Sequence, residues 1–262
     1  MTDTKGHRHF TLDTANEKDT HTSVLSANVL HIKIDNCTIL HNHAIAPDIF
    51  EMALSAPGIP ASYAGQFVMV YLDKGEHLLP RPISICHRTG DTIFLVYKTV
   101  GAGTRHMANL RTGDYLRIMG PLGNGFTVKE SLKKVALIGG GIGIPPMVAL
   151  YNELSKIEAD VFLGFRDEPF LTEHFNNPVT TRGNLVDLLK QHGQVYDGLY
   201  ACGPKPMLEA LSEYAKSKNI PLQISLEERM ACGLGTCMGC VVPPNYVKVC
   251  CDGPVFTQPS AP

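Results

Sequence analysis

Apolar residues along the first half of the chain recur in short, β-rich runs. Between Val24 and Val128 these are NVLHIKID, CTILHNHAI, IFEMALSA, QFVMVYL, RPISICHR, TIFLVYKTV and YLRIMGPL. Gly, Pro, Asn and Asp punctuate them. Several short strands with such turn signals predict a small antiparallel barrel. Between the last two runs, GTRHMANLRTGD predicts a short helix ended by Gly113.

The pattern changes near Ser131. KKVALIGGGIG is an apolar run ending in glycines, and PPMVALYNELSK follows with helical spacing. ADVFLGF, YDGLYACG and PLQISLEE read as further strands, with NLVDLLKQHG and KPMLEALSEYAKSKN as helices. Strands alternating with helices of this length predict βαβ units and a parallel sheet. The expected organisation is a tail over residues 1–23, a barrel over 24–128, an α/β domain over 129–225 and a C-terminal segment over 226–262. The tail has few large apolar residues and no periodicity, so it is expected to be disordered, with His7, His9 and His21 solvated rather than ligating. From Glu227 the pattern dissolves into Gly, Cys and Pro. About 35 residues cannot hold themselves together by apolar burial alone, and a metal site would supply what that core lacks.

Length and charge narrow the classes. The chain has 262 residues, room for two domains and a smaller third. With 23 Lys plus Arg against 25 Asp plus Glu, the net charge of −2 excludes a nucleic-acid binder working by bulk basicity. The longest uncharged apolar run, Val135 to Leu150, carries four glycines and two prolines, so no membrane-spanning helix is expected. The polar start MTDTKGHRHFTLD does not read as a secretory signal, and a cytoplasmic location is expected.

Five of the eight cysteines fall in the last 31 residues. In a reducing compartment such a cluster binds metal or does redox work more often than it forms disulfides. Cys232, Cys237 and Cys240 are followed by the pair Cys250 and Cys251, giving C-x4-C-x2-C and then nine residues to Cys250 or ten to Cys251. Plant-type [2Fe–2S] sites use C-x4-C-x2-C…C, wrapped in a glycine-rich loop whose backbone N–H groups point at the sulfurs. Structural zinc is the competitor, although zinc ribbons present two tight C-x2-C knuckles and only Cys237 and Cys240 have that spacing. Spacing alone does not choose between Cys250 and Cys251.

Gly139, Gly140, Gly141 and Gly143 follow a predicted strand and open a predicted helix, with Pro145 and Pro146 in its first turn. That context suits a phosphate beside free helix N–H groups. It is not the full G-x-G-x-x-G, because Pro146 stands where the third glycine would fall, and a tight strand–helix turn is the plainer reading. Cys202-Gly203-Pro204 ends a second strand of the same sheet, and ligands of open α/β sheets bind outside the strands' carboxyl ends. In the barrel, Arg81 beside Ser84 on one strand can hold a diphosphate by charge-assisted bonds. Gly103 and Thr104 offer a second phosphate-type turn after the strand through Val96, Tyr97 and Lys98.

The order of these motifs, Arg81-Pro82-Ile83-Ser84, then Tyr97 leading to Gly103-Thr104, then Gly139 to Pro146, then Cys202-Gly203-Pro204, resembles the ferredoxin–NADP reductase-like flavoprotein superfamily across about residues 24–262. Within it, SLEERMACGLGTCMGC and YVKVCCDGPVF are similar to the iron–sulfur electron-transfer subunits of dihydroorotate dehydrogenase B. Related subunits of NADH-dependent ferredoxin–NADP oxidoreductase and sulfide dehydrogenase complexes carry an aspartate where this chain has Cys232.

The resemblance implies an antiparallel FAD barrel, a parallel-sheet NAD domain and a small [2Fe–2S] segment. It implies FAD at Arg81, Pro82, Ile83, Ser84, Val96, Tyr97, Lys98, Gly103 and Thr104. It implies NAD(H) at Gly139, Gly140, Gly141, Gly143, Cys202, Gly203 and Pro204, and the cluster at Cys232, Cys237, Cys240 and Cys250, the last because it follows Tyr-Val-Lys-Val. The implied partner is an FMN-containing catalytic subunit that oxidises dihydroorotate, two of each chain together, with no nucleic acid and no membrane involved. Electrons would pass from that FMN through the cluster and FAD to NAD+, and no acid–base dyad is required on this chain. After the second parallel strand, Asp167 or Glu168 suits a ribose hydroxyl and Arg166 a 2′-phosphate, and the acidic pair favours NAD. The alternatives are another NAD(P)H–FAD–iron–sulfur reductase subunit and, from a different class, a zinc-stabilised nucleotide-binding regulator.

Overall fold

A computed structural model describes residues 32–72 and 78–258. The expected tail, with His7, His9 and His21, lies outside the described residues. Six strands, β1 (Lys33–Ala46), β2 (Ile49–Ser55), β3 (Phe67–Tyr71), β4 (Arg81–Thr89), β5 (Thr92–Lys98) and β6 (Tyr115–Leu122), close a barrel in the order β1-β2-β5-β4-β3-β6. Every pairing is antiparallel. Strand alternation sorts the faces: on β5, Ile93, Leu95 and Tyr97 fill the barrel, while Val96 packs outward on the α/β half.

Two sequence expectations are corrected here. NVLHIKID and CTILHNHAI are not separate strands, because β1 runs unbroken from Lys33 to Ala46. The polar Asp35 and Asn36, which read as punctuation, stay in the ladder opposite Ile118 and Arg117. The Asp35 carboxylate accepts the Gly58 N–H across 3.1 Å. The helix after β5, α1 (Ala102–Ala108), ends at Asn109 and not at Gly113. The Asn42 side-chain amide donates to the Met107 and Leu110 carbonyls at 2.8 and 2.9 Å, taking acceptors that another turn of helix would use.

The second half alternates as expected apart from the added short strand β9: β7 (Lys134–Gly140), α2 (Ile144–Glu153), β8 (Glu158–Gly164), β9 (Val179–Thr181), α3 (Leu185–His192), β10 (Gly198–Cys202), α4 (Lys205–Lys218) and β11 (Leu222–Ser225). Helix ends follow local chemistry. Asn184 caps α3 by accepting the Val186 N–H at 2.9 Å, and Gly193 closes it in the left-handed region. Strands β12 (Val241–Val242), β13 (Val247–Lys248) and β14 (Val255–Thr257) belong to the cysteine segment. The sheet order is β14-β11-β10-β7-β8-β9, parallel except for β14, so the last segment closes one edge of the α/β sheet.

Val135, Leu137, Ile138 and Phe162 are fully buried in that sheet. Truncating Phe162 to alanine would cost about 3–5 kcal/mol. A shared apolar layer, with Ile49, Cys86 and Val96 from the barrel against Ile144, Met147 and Val148 of α2, joins the halves. The Glu153 carboxylate adds a tie by accepting the Ala64 N–H at 2.7 Å. No helix among the described residues is long and apolar enough to cross a membrane.

Candidate functional site

Strands β4 and β5 run side by side, so the start of one and the end of the other form one wall of a cleft of about 350 Å³. Arg81, Pro82, Ile83, Ser84, Val96, Tyr97, Lys98 and Thr104 all line it. Gly103 does not, but a Cβ there would collide with the Arg81 guanidinium, so the missing side chain makes room for Arg81. Arg81 also donates to the Leu79 carbonyl. Thr104 is partly spent on the fold: its hydroxyl accepts the Val100 and Gly101 N–H groups at 2.9 and 3.2 Å, capping α1. The Tyr97 hydroxyl donates to Asn42 Oδ1 at 2.8 Å, and burial pushes its pKa up, so it stays a neutral wall. Two cations, a serine hydroxyl and apolar walls from Phe67, Ile83 and Met230 form a donor set that fits a diphosphate joined to an aromatic ring.

A second crevice, of about 720 Å³, opens at the carboxyl ends of the parallel strands. Gly140, Gly141, Gly203 and Pro204 line it, while Gly143 and Cys202 face the first cleft and Gly139 lies in β7. The glycines serve different needs. A Cβ on Gly143 would strike the Cys202 carbonyl, so the start of α2 can approach that turn only with glycine. Gly141 has φ +53° with nothing within 4 Å of its missing Cβ, so its backbone faces open space, as a bound pyrophosphate needs.

The crevice wall includes Arg166, Arg182 and Asn184, but not Asp167 or Glu168. Sequence reasoning missed Arg182 and Asn184. They follow β9, a strand of three residues that shows no period, and the only signal was a basic residue shortly before the capping Asn184. Cys202 is buried, and burial with the Glu227 charge beside it pushes the thiol up to about 12, so it holds no thiolate at neutral pH. Burial, then Glu228, raises the Glu227 pKa as well. Lys98, Ile142 and Glu227 line both cavities, so the two open onto each other.

The cysteine segment gathers its thiols through backbone N–H groups. Leu234 N–H donates to Cys232 Sγ at 3.3 Å, Gly239 N–H to Cys237 Sγ at 3.4 Å, Gly235 N–H to Cys250 Sγ at 3.2 Å and Cys250 N–H to Cys240 Sγ at 3.4 Å. Left-handed Gly233 and Gly235 turn the loop to make this possible. Burial opposes ionisation of Cys232, yet hydrogen bonds from Thr236, the Leu234 and Cys237 amides and the Cys237 thiol outweigh it and bring it down to about 5. Cys250 moves the other way, raised by burial and by Cys240 beside it.

Cys232 thus interacts with Cys237, and Cys240 with Cys250, which also neighbours Cys251. One tetrahedral zinc would need all four sulfurs around one point. Among the described residues the only three metal-ligand atoms found mutually within 4.8 Å are elsewhere, on His41, His43 and Glu51. Two pairs fit a two-iron cluster better than one zinc. Cys251 neighbours Cys250, and its Sγ also lies 3.6 Å from Asp252 Oδ1.

A closed antiparallel barrel, a parallel α/β sheet whose crevice opens into the barrel's cleft, and a thiol-lined loop beside both make a ferredoxin–NADP reductase-like fold with a cysteine loop added. Residues 227–259 match the model of the iron-sulfur cluster binding domain of dihydroorotate dehydrogenase B. The chain is 37% identical over 235 residues to a dihydroorotate dehydrogenase B (NAD(+)), electron transfer subunit, of Caldanaerobacter subterraneus subsp. tengcongensis, covering 83% of this chain and 94% of that one. To the subunit so named in Fusobacterium nucleatum it is 37% identical over 254 residues, covering 86% and 97%. In fold it is similar to an NADH-dependent reduced ferredoxin-NADP oxidoreductase (TM-score 0.75, 24% identity, 84% and 87% covered). It is also similar in fold to phthalate dioxygenase reductase (TM-score 0.61, 17% identity, 79% and 85% covered). The chain belongs to the family of dihydroorotate dehydrogenase B (NAD(+)) electron transfer subunits.

Proposed function

We propose that this chain carries electrons between a dihydroorotate-oxidising partner subunit and NAD+, using a [2Fe–2S] cluster and FAD. The observation that carries the reading is contiguity. Met230, two residues before Cys232, lines the barrel cleft, and that cleft shares Lys98, Ile142 and Glu227 with the glycine crevice. When bound, a flavin exchanges a hydride with a nicotinamide and single electrons with an iron–sulfur cluster, which is why it belongs between them.

The residues divide the work. Arg81, Ser84 and Lys98 hold the FAD diphosphate, Thr104 shapes the turn beside it, and Pro82, Ile83, Val96 and Tyr97 wall the ring while Gly103 leaves Arg81 its place. Gly140, Gly141, Gly203 and Pro204 cradle NAD(H), with Gly139 and Gly143 setting α2 against the sheet and Cys202 closing the floor where the cavities meet. Cys232, Cys237, Cys240 and Cys250 hold the cluster, and the N–H groups aimed at their sulfurs tune it. The barrel over 24–128, the α/β domain over 129–225 and the segment over 226–262 are the corresponding functional units, and the chain acts in the cytoplasm. The partner carries FMN, and the assembly holds two of each chain. Leu234 and Met238, apolar and about half exposed beside the cysteines, suit a face that meets the partner.

The test is the purified complex with its partner. Dihydroorotate should bleach its visible bands and NAD+ should restore them. Bleaching that NAD+ cannot reverse would refute the relay.

A further inference from the structure

His41, His43 and Glu51 lie on the outside of the barrel, away from both cavities and the cysteine loop. Their placement follows from a bulge. Upstream of it Cys37 and Ile39 face the barrel core, and the register with β2 shifts between Ile39 and His41. The extra residue, Leu40, reverses the faces, so Asn42 points inward to Tyr97 while His41 and His43 point out. Without the bulge both imidazoles would enter the core. In the ladder, His43 stands directly opposite Glu51 and His41 opposite the small Ala53, which lets the His41 ring lean across. His41 Nε2 lies 3.0 Å from Glu51 Oε1, and the two histidine rings are 4.9 Å apart. One donor atom from each of the three residues lies within 4.8 Å of the others. The Phe94 ring, 6.0 Å from His41, walls one side, and His43 is open to solvent.

We propose that His41, His43 and Glu51 form a binding site for a divalent transition-metal cation of the imidazole-seeking class, with zinc as its best representative. Two imidazoles and one carboxylate on one face of a rigid antiparallel pair give three ligands and leave further positions for water. Metal entry replaces the His41–Glu51 hydrogen bond with two metal–ligand bonds, the neutral His41 ring carrying its one proton on Nδ1. An ordinary cross-strand His–Glu pair needs neither His43 nor a bulge that turns both rings outward.

Zinc chloride titrated calorimetrically into the full chain, with FAD and cluster loaded, tests this. The expected result is one zinc per chain. His43→Gln, and separately the isosteric Glu51→Gln, should each weaken it at least about tenfold, since losing an outer-shell partner alone costs 10–100-fold. A His7→Gln/His9→Gln/His21→Gln variant should bind as the parent does. X-ray absorption at one equivalent should show only N/O neighbours near about 2.0–2.1 Å. Unchanged affinity in both barrel variants, loss in the tail variant, or a Zn–S shell near about 2.3 Å would overturn the site. FAD content and the zinc-free melting temperature confirm that the variants are folded, and none of these readouts depends on the electron relay.

Discussion

The α/β half and the cysteine segment share one sheet but are held by different forces. In the first, Val135, Leu137, Ile138 and Phe162 order the chain by burial, and β7 and β8 pair along seven consecutive positions. In the second, β12 and β13 have two residues each and β14 has three, and N–H groups of Leu234, Gly235, Gly239 and Cys250 turn to sulfur instead. Cys240 and Cys250 are as buried as core residues, while Cys232 and Cys237 are more open. A region built on burial tolerates a change of ligand, whereas one built around thiols depends on what they hold.

The sharpest break of that contrast is Cys237→Ser. It should abolish dihydroorotate-dependent NAD+ reduction, while NADH oxidation by an artificial flavin oxidant survives, because the change touches neither cavity. Cys251→Ser should keep the cluster, because the Gly235 N–H is aimed at Cys250 Sγ and not at Cys251. Iron content of the two variants separates the cases.

Next in size is the flavin cleft. Arg81→Ala should weaken FAD binding about 10–100-fold, the worth of charge-assisted bonds to a diphosphate. Gly103→Ala should weaken it in the same direction by pushing the guanidinium aside. Equilibrium dialysis of FAD measures both, and equal affinity in Arg81→Ala would remove that residue from the site. Gly143→Ala comes third. Its Cβ meets the Cys202 backbone, not a flexible side chain, so about 1–3 kcal/mol of stability should be lost in denaturant unfolding, with weaker NAD+ binding.

The smallest effect is a pH dependence. Burial raises the Glu153 pKa above its ordinary 4.5, and the Ala64 N–H bond only partly offsets this. The folded state therefore holds that proton more tightly than the unfolded one. Its contribution is full below pH 4.5 and fades as pH rises through the higher folded value. Glu153→Gln keeps the acceptor and should flatten that slope by no more than about 1 kcal/mol, given the group's partial exposure. Melting curves across the acid range show it.

What the sequence revealed follows the same division. Where apolar period orders the chain, strands and helices were legible nearly to their ends, as with α3 between Asn184 and Gly193. The misses have physical causes. Asp35 and Asn36 looked like a break because polarity cannot distinguish a turn from an exposed ladder position. α1 ends early because of Asn42, over sixty residues away. Arg182 reaches the crevice from the turn between β9 and α3, which carries no period. The candidate cysteines stood out by spacing, which does not separate Cys250 from Cys251; the Gly235 N–H aimed at Cys250 Sγ favours Cys250.

The central claim is that the thiol pairs hold iron as a relay. Iron, acid-labile sulfide and zinc measured on the purified chain, together with its visible spectrum, test it most directly. About two irons and two sulfides per chain, with a broad iron–sulfur shoulder under the flavin bands, is the predicted result. A flavin spectrum with one zinc on the cysteines and no iron would contradict it, leaving a reductase with no path to its partner.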